Sequence, residues 1–183
     1  QVEGARKAAK PISGTTMRAA TRSNDAILYA TARWNQGEPY NREAPVYNGT
    51  RSLTGCVATA MSIICHYNRW PERGIGTTPE YSYYDAYDVL RTVPENKLGR
   101  KYDYDNMLFD YNYGYNNTEA NAVAALMKDM GTSVKMNYHF TQSGAFDRDA
   151  LCAFTEYFGY TKNARLTHGS TFSNDVWADM IRE

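Results

Sequence analysis

Residues 54 to 71, TGCVATAMSIICHYNRWP, constrain the fold of this chain more than any other stretch. An apolar run opened by a capping residue, Thr54, and closed before Pro71 is predicted to fold as a helix. Val57, Ala58, Ala60, Met61, Ile63, Ile64 and Cys65 make it apolar nearly all round, so a central, buried helix is expected. Cys56 stands two residues past Thr54. The first N–H groups of a helix have no intrahelical partner and carry the positive end of its dipole, so a thiolate there is stabilised. Cys56 is therefore the first candidate nucleophile; the plain alternative is a small, buried core residue.

A length of 183 residues with 43% apolar composition supports one full domain, or one domain plus a tail, with a real core. Lys+Arg and Asp+Glu balance at 20 each, which argues against an electrostatic nucleic-acid binder or a membrane-surface protein. No apolar run reaches the ~18 residues of a membrane span, and the N-terminus lacks a charged-then-apolar leader, so no membrane partner is expected. Three cysteines, Cys56, Cys65 and Cys152, cannot all pair within one chain. Of sixteen tyrosines, most crowd into residues 81 to 115, where an aromatic, hydrogen-bonding surface is predicted.

Residues 1–24 mix small, basic and breaker residues and read as a mobile tail or the remnant of a propeptide. In WNQGEPYN, Gly37 and Pro39 force a turn around Gln36. Residues 72–117 read as long loops with short helical pieces near 84–91 and 104–110. Thr118 is predicted to cap a helix stopped by Gly131, followed by a half-buried strand over 133–138 and a polar loop, HFTQSGAF. Asp147 opens a further helix closed by Gly159. Ser173 opens a last one, unfinished at Glu183.

A cysteine nucleophile needs a base and an oxyanion stabiliser. The Cys56 N–H and the Gln36 side-chain amide are the candidate donors, if the turn brings Gln36 to the helix. The base is harder to place. His66 lies ten residues after Cys56 on one helix, about 15 Å along its axis, and reads as structural. His139 sits in a loop after the predicted strand, and His168 in a surface loop. Histidines and cysteines lack the short spacings of a metal site, and no phosphate-binding loop is present, so no cofactor is expected.

WNQGEPYN followed by TGCVATAMSIICHYNRWPERGIG resembles the paired signature of the streptopain-like cysteine peptidases. The resemblance continues through KYDYDNML, VAALMKDMGTSVKMNYHFTQSGAF, FGYTKNARL and FSNDVWADMIRE, and so covers about residues 25 to 183. It implies an α+β, papain-like fold, represented mainly by the helical subdomain with a short strand of the β subdomain. Residues 25–183 would then be a catalytic domain incomplete at its C-terminus. It further implies Cys56 as nucleophile, Gln36 as oxyanion donor, and Val57, Ser143, Gly144 and Ala145 beside the substrate cleft. The family's histidine lies in a downstream motif, so a C-terminal segment or second chain carrying it is an expected partner, with a propeptide and polypeptide substrates. The implied protein is a secreted, periplasmic or cell-surface bacterial endopeptidase, and this chain alone is expected to be inactive. Two alternatives from other classes are a non-catalytic binding or adhesion module on the same scaffold and a transglutaminase-like acyl transferase.

Overall fold

In the computed structural model, which describes residues 31–177, helix α1 runs Cys56–Asn68 and ends where Arg69 turns into the left-handed region ahead of Pro71. Its buried face is Ala58, Thr59, Met61, Ser62 and Cys65. It is not covered all round: Ile64 is 43% exposed and Ala60 faces solvent. Apolar composition alone did not separate the inward stripe from its flanks.

Helix α2, Asn117–Ser133, packs against α1, and both touch α3, Asp147–Tyr157. Asn116, not Thr118, caps α2: its Oδ1 accepts the Glu119 N–H at 3.0 Å while Glu119 Oε2 accepts the Asn116 N–H at 2.7 Å, a reciprocal capping box. Gly131 does not stop the helix. It lies inside the last turn, where a Cβ would run into the Tyr138 hydroxyl, so its role is close approach. The core joins Met61 and Cys65 of α1, Val123, Leu126, Met127 and Met130 of α2, and Ala153 of α3 with Met136, Tyr138 and Phe158.

The expected strand at 133–138 is not formed. Val134, Met136 and Tyr138 are buried and Lys135 and Asn137 exposed, as alternation demands, but pairing is limited to one bridge between Asn137 and Gly144. Tyrosine side chains do the work of a neighbouring strand: Tyr81 donates to the Met136 carbonyl at 2.8 Å and Tyr83 to that of Tyr138 at 2.7 Å. Those hydroxyls come from a ribbon rather than from the helical piece expected at 84–91. Strand β4, Tyr81–Tyr84, pairs antiparallel with β5, Leu90–Val93, flanked by β3, Thr77–Thr78, with β6, Asn96–Lys97. A small hairpin joins β1, Val46–Tyr47, to β2, Thr50–Arg51, through Asn48 and Gly49, both at positive φ. The piece expected at 104–110 is a single 3-10 turn, Tyr104–Asn106.

The α+β class expected from the sequence is thus observed, with ribbons of two strands in place of a larger sheet. Ser173 opens a helical turn from 174. The rest of the expected last helix, 178–183, and the expected tail at 1–24 lie outside the described residues.

Candidate active site

Gly55, rather than Thr54, is the N-cap of α1, at φ 85°, so Cys56 is the first residue of the helix. The threonine has a different role, since Thr54 Oγ1 lies 3.1 Å from Thr59 Oγ1, which also lies 2.9 Å from the Gly55 carbonyl it donates to. These bonds fasten the approach to the helix onto its first turn. Cys56 is exposed and unpaired, beside N–H groups that have no carbonyl within the helix to bond.

The other two thiols differ from it in opposite ways. Cys65 is fully buried, and burial pushes its pKa up to about 12, opposed by a contact with the Tyr160 hydroxyl 4.0 Å away. Cys152 is exposed on α3 and has no helix terminus beside it.

Gln36 reaches the start of α1 by a backbone route. Its carbonyl accepts the Thr54 N–H at 3.0 Å, which places the turn two residues before Cys56. Within the turn, Asn35 Oδ1 accepts the Gln36 N–H at 2.7 Å, and the Asn41 N–H donates to the Gly37 carbonyl at 3.1 Å. A side chain adds a further tie: Asn41 Nδ2 donates to the Ser52 carbonyl at 2.9 Å. Sequence reasoning passed over Asn41, although a polar residue inside WNQGEPYN that turns out 7% exposed is the kind of signal available.

The loop 139–146 comes to the same place from the far end of the chain. The Leu53 N–H donates to the His139 carbonyl at 3.0 Å, and Ser143 Oγ donates to the Leu53 carbonyl at 2.8 Å while accepting the His139 N–H. Ser143, a candidate substrate contact, is therefore 4% exposed with its hydroxyl engaged in holding the loop. Gly144 and Ala145 are half-buried beside it, as is Val57 on α1, and Gln142 is exposed. Gly144 and Ala145 also border a cleft of about 590 Å³ walled by Tyr83, Tyr84 and Phe146.

His66 and His139 each make contacts of their own. His66 packs on the Trp34 ring at 4.7 Å, with Nε2 3.3 Å from the Met107 carbonyl. Burial lowers its pKa, the Met107 carbonyl opposing. His139 is 5% exposed, with Nδ1 2.7 Å from Thr141 Oγ1 and its ring against those of Phe140 and Tyr87. His168 precedes an exposed 3-10 turn, Gly169–Thr171. Among the described residues no cluster of three His, Cys, Asp or Glu is placed to hold a metal ion, and no helix is long and apolar enough to cross a membrane.

Residues 34–183 match the peptidase C10 family. The chain is 35% identical over 162 residues to the thiol protease/hemagglutinin PrtT of Porphyromonas gingivalis, covering 88% of this chain and 18% of that protein. It is 31% identical over 163 residues to streptopain of Streptococcus pyogenes, covering 81% of this chain and 40% of that one. Among solved structures, active interpain A, a cysteine protease of Prevotella intermedia, superposes with a TM-score of 0.67 at 32% identity over 83% of this chain and 64% of the other. A prointerpain A fragment with one cysteine replaced by alanine gives 0.68 at 31% identity, over 83% and 50%. The chain thus spans less than two thirds of the length of each of these relatives. The superposition agrees with the papain-like arrangement that the resemblance implied.

Proposed function

The chain belongs to the peptidase C10 family, and from that premise we propose that it is the cysteine-bearing part of a cysteine endopeptidase. In this reading the Cys56 thiolate attacks the carbonyl carbon of a peptide bond, and the electron pair displaced onto oxygen is held by the Cys56 N–H and the Gln36 amide. Collapse of that intermediate expels the amine and leaves an acyl-enzyme, which water then hydrolyses. The observation that carries the reading is the junction at Thr54: one hydrogen bond to the Gln36 carbonyl puts the amide-bearing turn beside an exposed cysteine that opens a helix.

The general base is proposed to come from outside these 183 residues. Supporting this, His66 packs against Trp34 with burial lowering its pKa, and His139 is buried beside Phe140 and Tyr87. Val57, Gly144 and Ala145 are proposed to line the substrate cleft, with Ser143 acting through the loop it holds. Secretion, and synthesis with a propeptide, belong to the same proposal. In the full-length protein, Cys56→Ala is expected to abolish cleavage of a fluorogenic peptide, and Gln36→Ala to lower kcat by about 10²-fold with little change in KM. Retained cleavage in Cys56→Ala would remove the proposal. Capture of the acyl group by added amines in preference to water would favour an acyl transferase instead.

A further inference from the structure

We propose that Asn41 is a positioning residue for the oxyanion site, holding the turn that carries Gln36 in register with the segment that delivers Cys56. The inference rests on the reading of Cys56 as nucleophile and Gln36 as oxyanion donor. Three direct bonds tie the two segments together: the Thr54 N–H to the Gln36 carbonyl at 3.0 Å, Asn41 Nδ2 to the Ser52 carbonyl at 2.9 Å, and Arg51 Nη1 to the Ala44 carbonyl at 2.9 Å. The first is backbone on both sides, and the third comes from an arginine to the far end of the turn. The second is made by a buried side chain inside the turn, five residues past Gln36. Its two ends are themselves fixed, since the Asn41 N–H bonds the Gly37 carbonyl within the turn and the Ser52 N–H bonds the Pro45 carbonyl.

A purely space-filling role explains Asn41 poorly. The residue is 7% exposed, and its Oδ1 is buried with no partner. Burying an unpaired carbonyl oxygen opposes folding, so an apolar residue serves packing better than this amide does. What the amide supplies, and an apolar residue does not, is the directed bond to Ser52.

The test separates oxyanion binding from thiol reactivity in the full-length protein. With an acetyl-capped tripeptide aldehyde bearing apolar side chains, Cys56 Sγ adds to the carbonyl carbon, the π pair moves onto oxygen, and the thiol proton ends there. The resulting hemithioacetal places its oxygen where the donors act. Iodoacetamide alkylates the same sulfur by displacing iodide and makes no such oxygen. Gln36→Ala is expected to weaken the aldehyde adduct about 10²-fold, and Asn41→Ala and the near-isosteric Asn41→Asp about tenfold, as a small misplacement does. The iodoacetamide rate at Cys56 is expected to stay within about twofold, and the Gln36→Ala/Asn41→Ala pair to bind no worse than Gln36→Ala, since one residue acts through the other.

Asn41 variants that bind the aldehyde like the parent overturn the proposal. So do variants whose alkylation slows in parallel, or that both fail to fold, because Asn41 then serves structure alone. A Gln36→Ala protein that binds the aldehyde undiminished, or a parent that forms no adduct, removes the underlying reading and this one with it, and is distinguished by that control.

Discussion

Gly55 joins two demands that no other residue meets. Its φ of 85° costs little only for glycine, and a Cβ there would also overlap the end of the flexible Met136 side chain. Gly55→Ala is therefore expected to destabilise the protein by about 2–3 kcal/mol, read as a lowered urea midpoint; an unchanged midpoint would show that the helix start can move away from Met136. The thiols give a second residue-scale prediction. With a pKa of about 12, Cys65 is all but entirely protonated at pH 8, so a short iodoacetamide pulse should label Cys56 and Cys152 and spare Cys65. Peptide mass mapping checks this, and equal labelling of all three would contradict the burial of Cys65. The exposed thiol and its nearby glutamine were legible in the sequence because their motifs are local. The requirement for Gly55 was not, since its positive φ is set by the way the chain enters α1.

At the scale of elements, helices announced themselves and ribbons did not. The periodic apolar positions of α2 and α3 are each written within a few turns, whereas β4 and β5 are defined only by their register, Tyr81 opposite Val93 to Tyr84 opposite Leu90. What closes that ribbon is Asp85. Its Oδ1 accepts the N–H groups of Tyr87 and Val89, and Oδ2 accepts from Arg91 Nε at 2.8 Å. Desolvation pushes the Asp85 pKa up, but the Arg91 bond and the two N–H groups outweigh it and hold the carboxyl below its ordinary value of 3.8. A folded-state value below the unfolded one stabilises the fold above about pH 4 and loses that contribution as pH falls through the folded value. Asp85→Asn should thus lower the thermal midpoint at pH 7 and lose its effect in acid below the folded pKa; a constant deficit across pH would rule out the charge as the cause. The α2 capping box is a separate unit, and Asn116→Ala is expected to cost about 1 kcal/mol by denaturant titration.

For the molecule as a whole, the segment after β6 is held to the helical layer by a charged cluster as well as by the buried Tyr102, Tyr104 and Met107. Asp129 on α2 is 1% exposed and accepts from Asn96 Nδ2 at 2.9 Å, from Tyr102 at 2.9 Å and from Arg100. Arg100 in turn bonds both oxygens of Glu43 at 2.9 Å and donates to the Ala125 carbonyl. Three regions that are distant in sequence, the end of the Gln36 turn, the loop after β6 and α2, therefore meet at one guanidinium. Nothing local marks these residues: in the sequence Asp129 is one of the polar positions of an amphipathic helix, and Arg100 one of 20 cations. Such a cluster is satisfied only when complete, since removing one member leaves buried donors without an acceptor. Asp129→Ala is accordingly expected to cost about 3 kcal/mol, while Glu43→Gln, at a half-exposed position whose charge is shared with solvent, should cost under about 1 kcal/mol. Because Glu43 sits two residues past Asn41, the same Asp129→Ala protein should also show faster amide hydrogen exchange at residues 37–44 than at α1. Uniform acceleration through both would mean that the network holds the fold together generally, and that the Gln36 turn has no separate anchor in it.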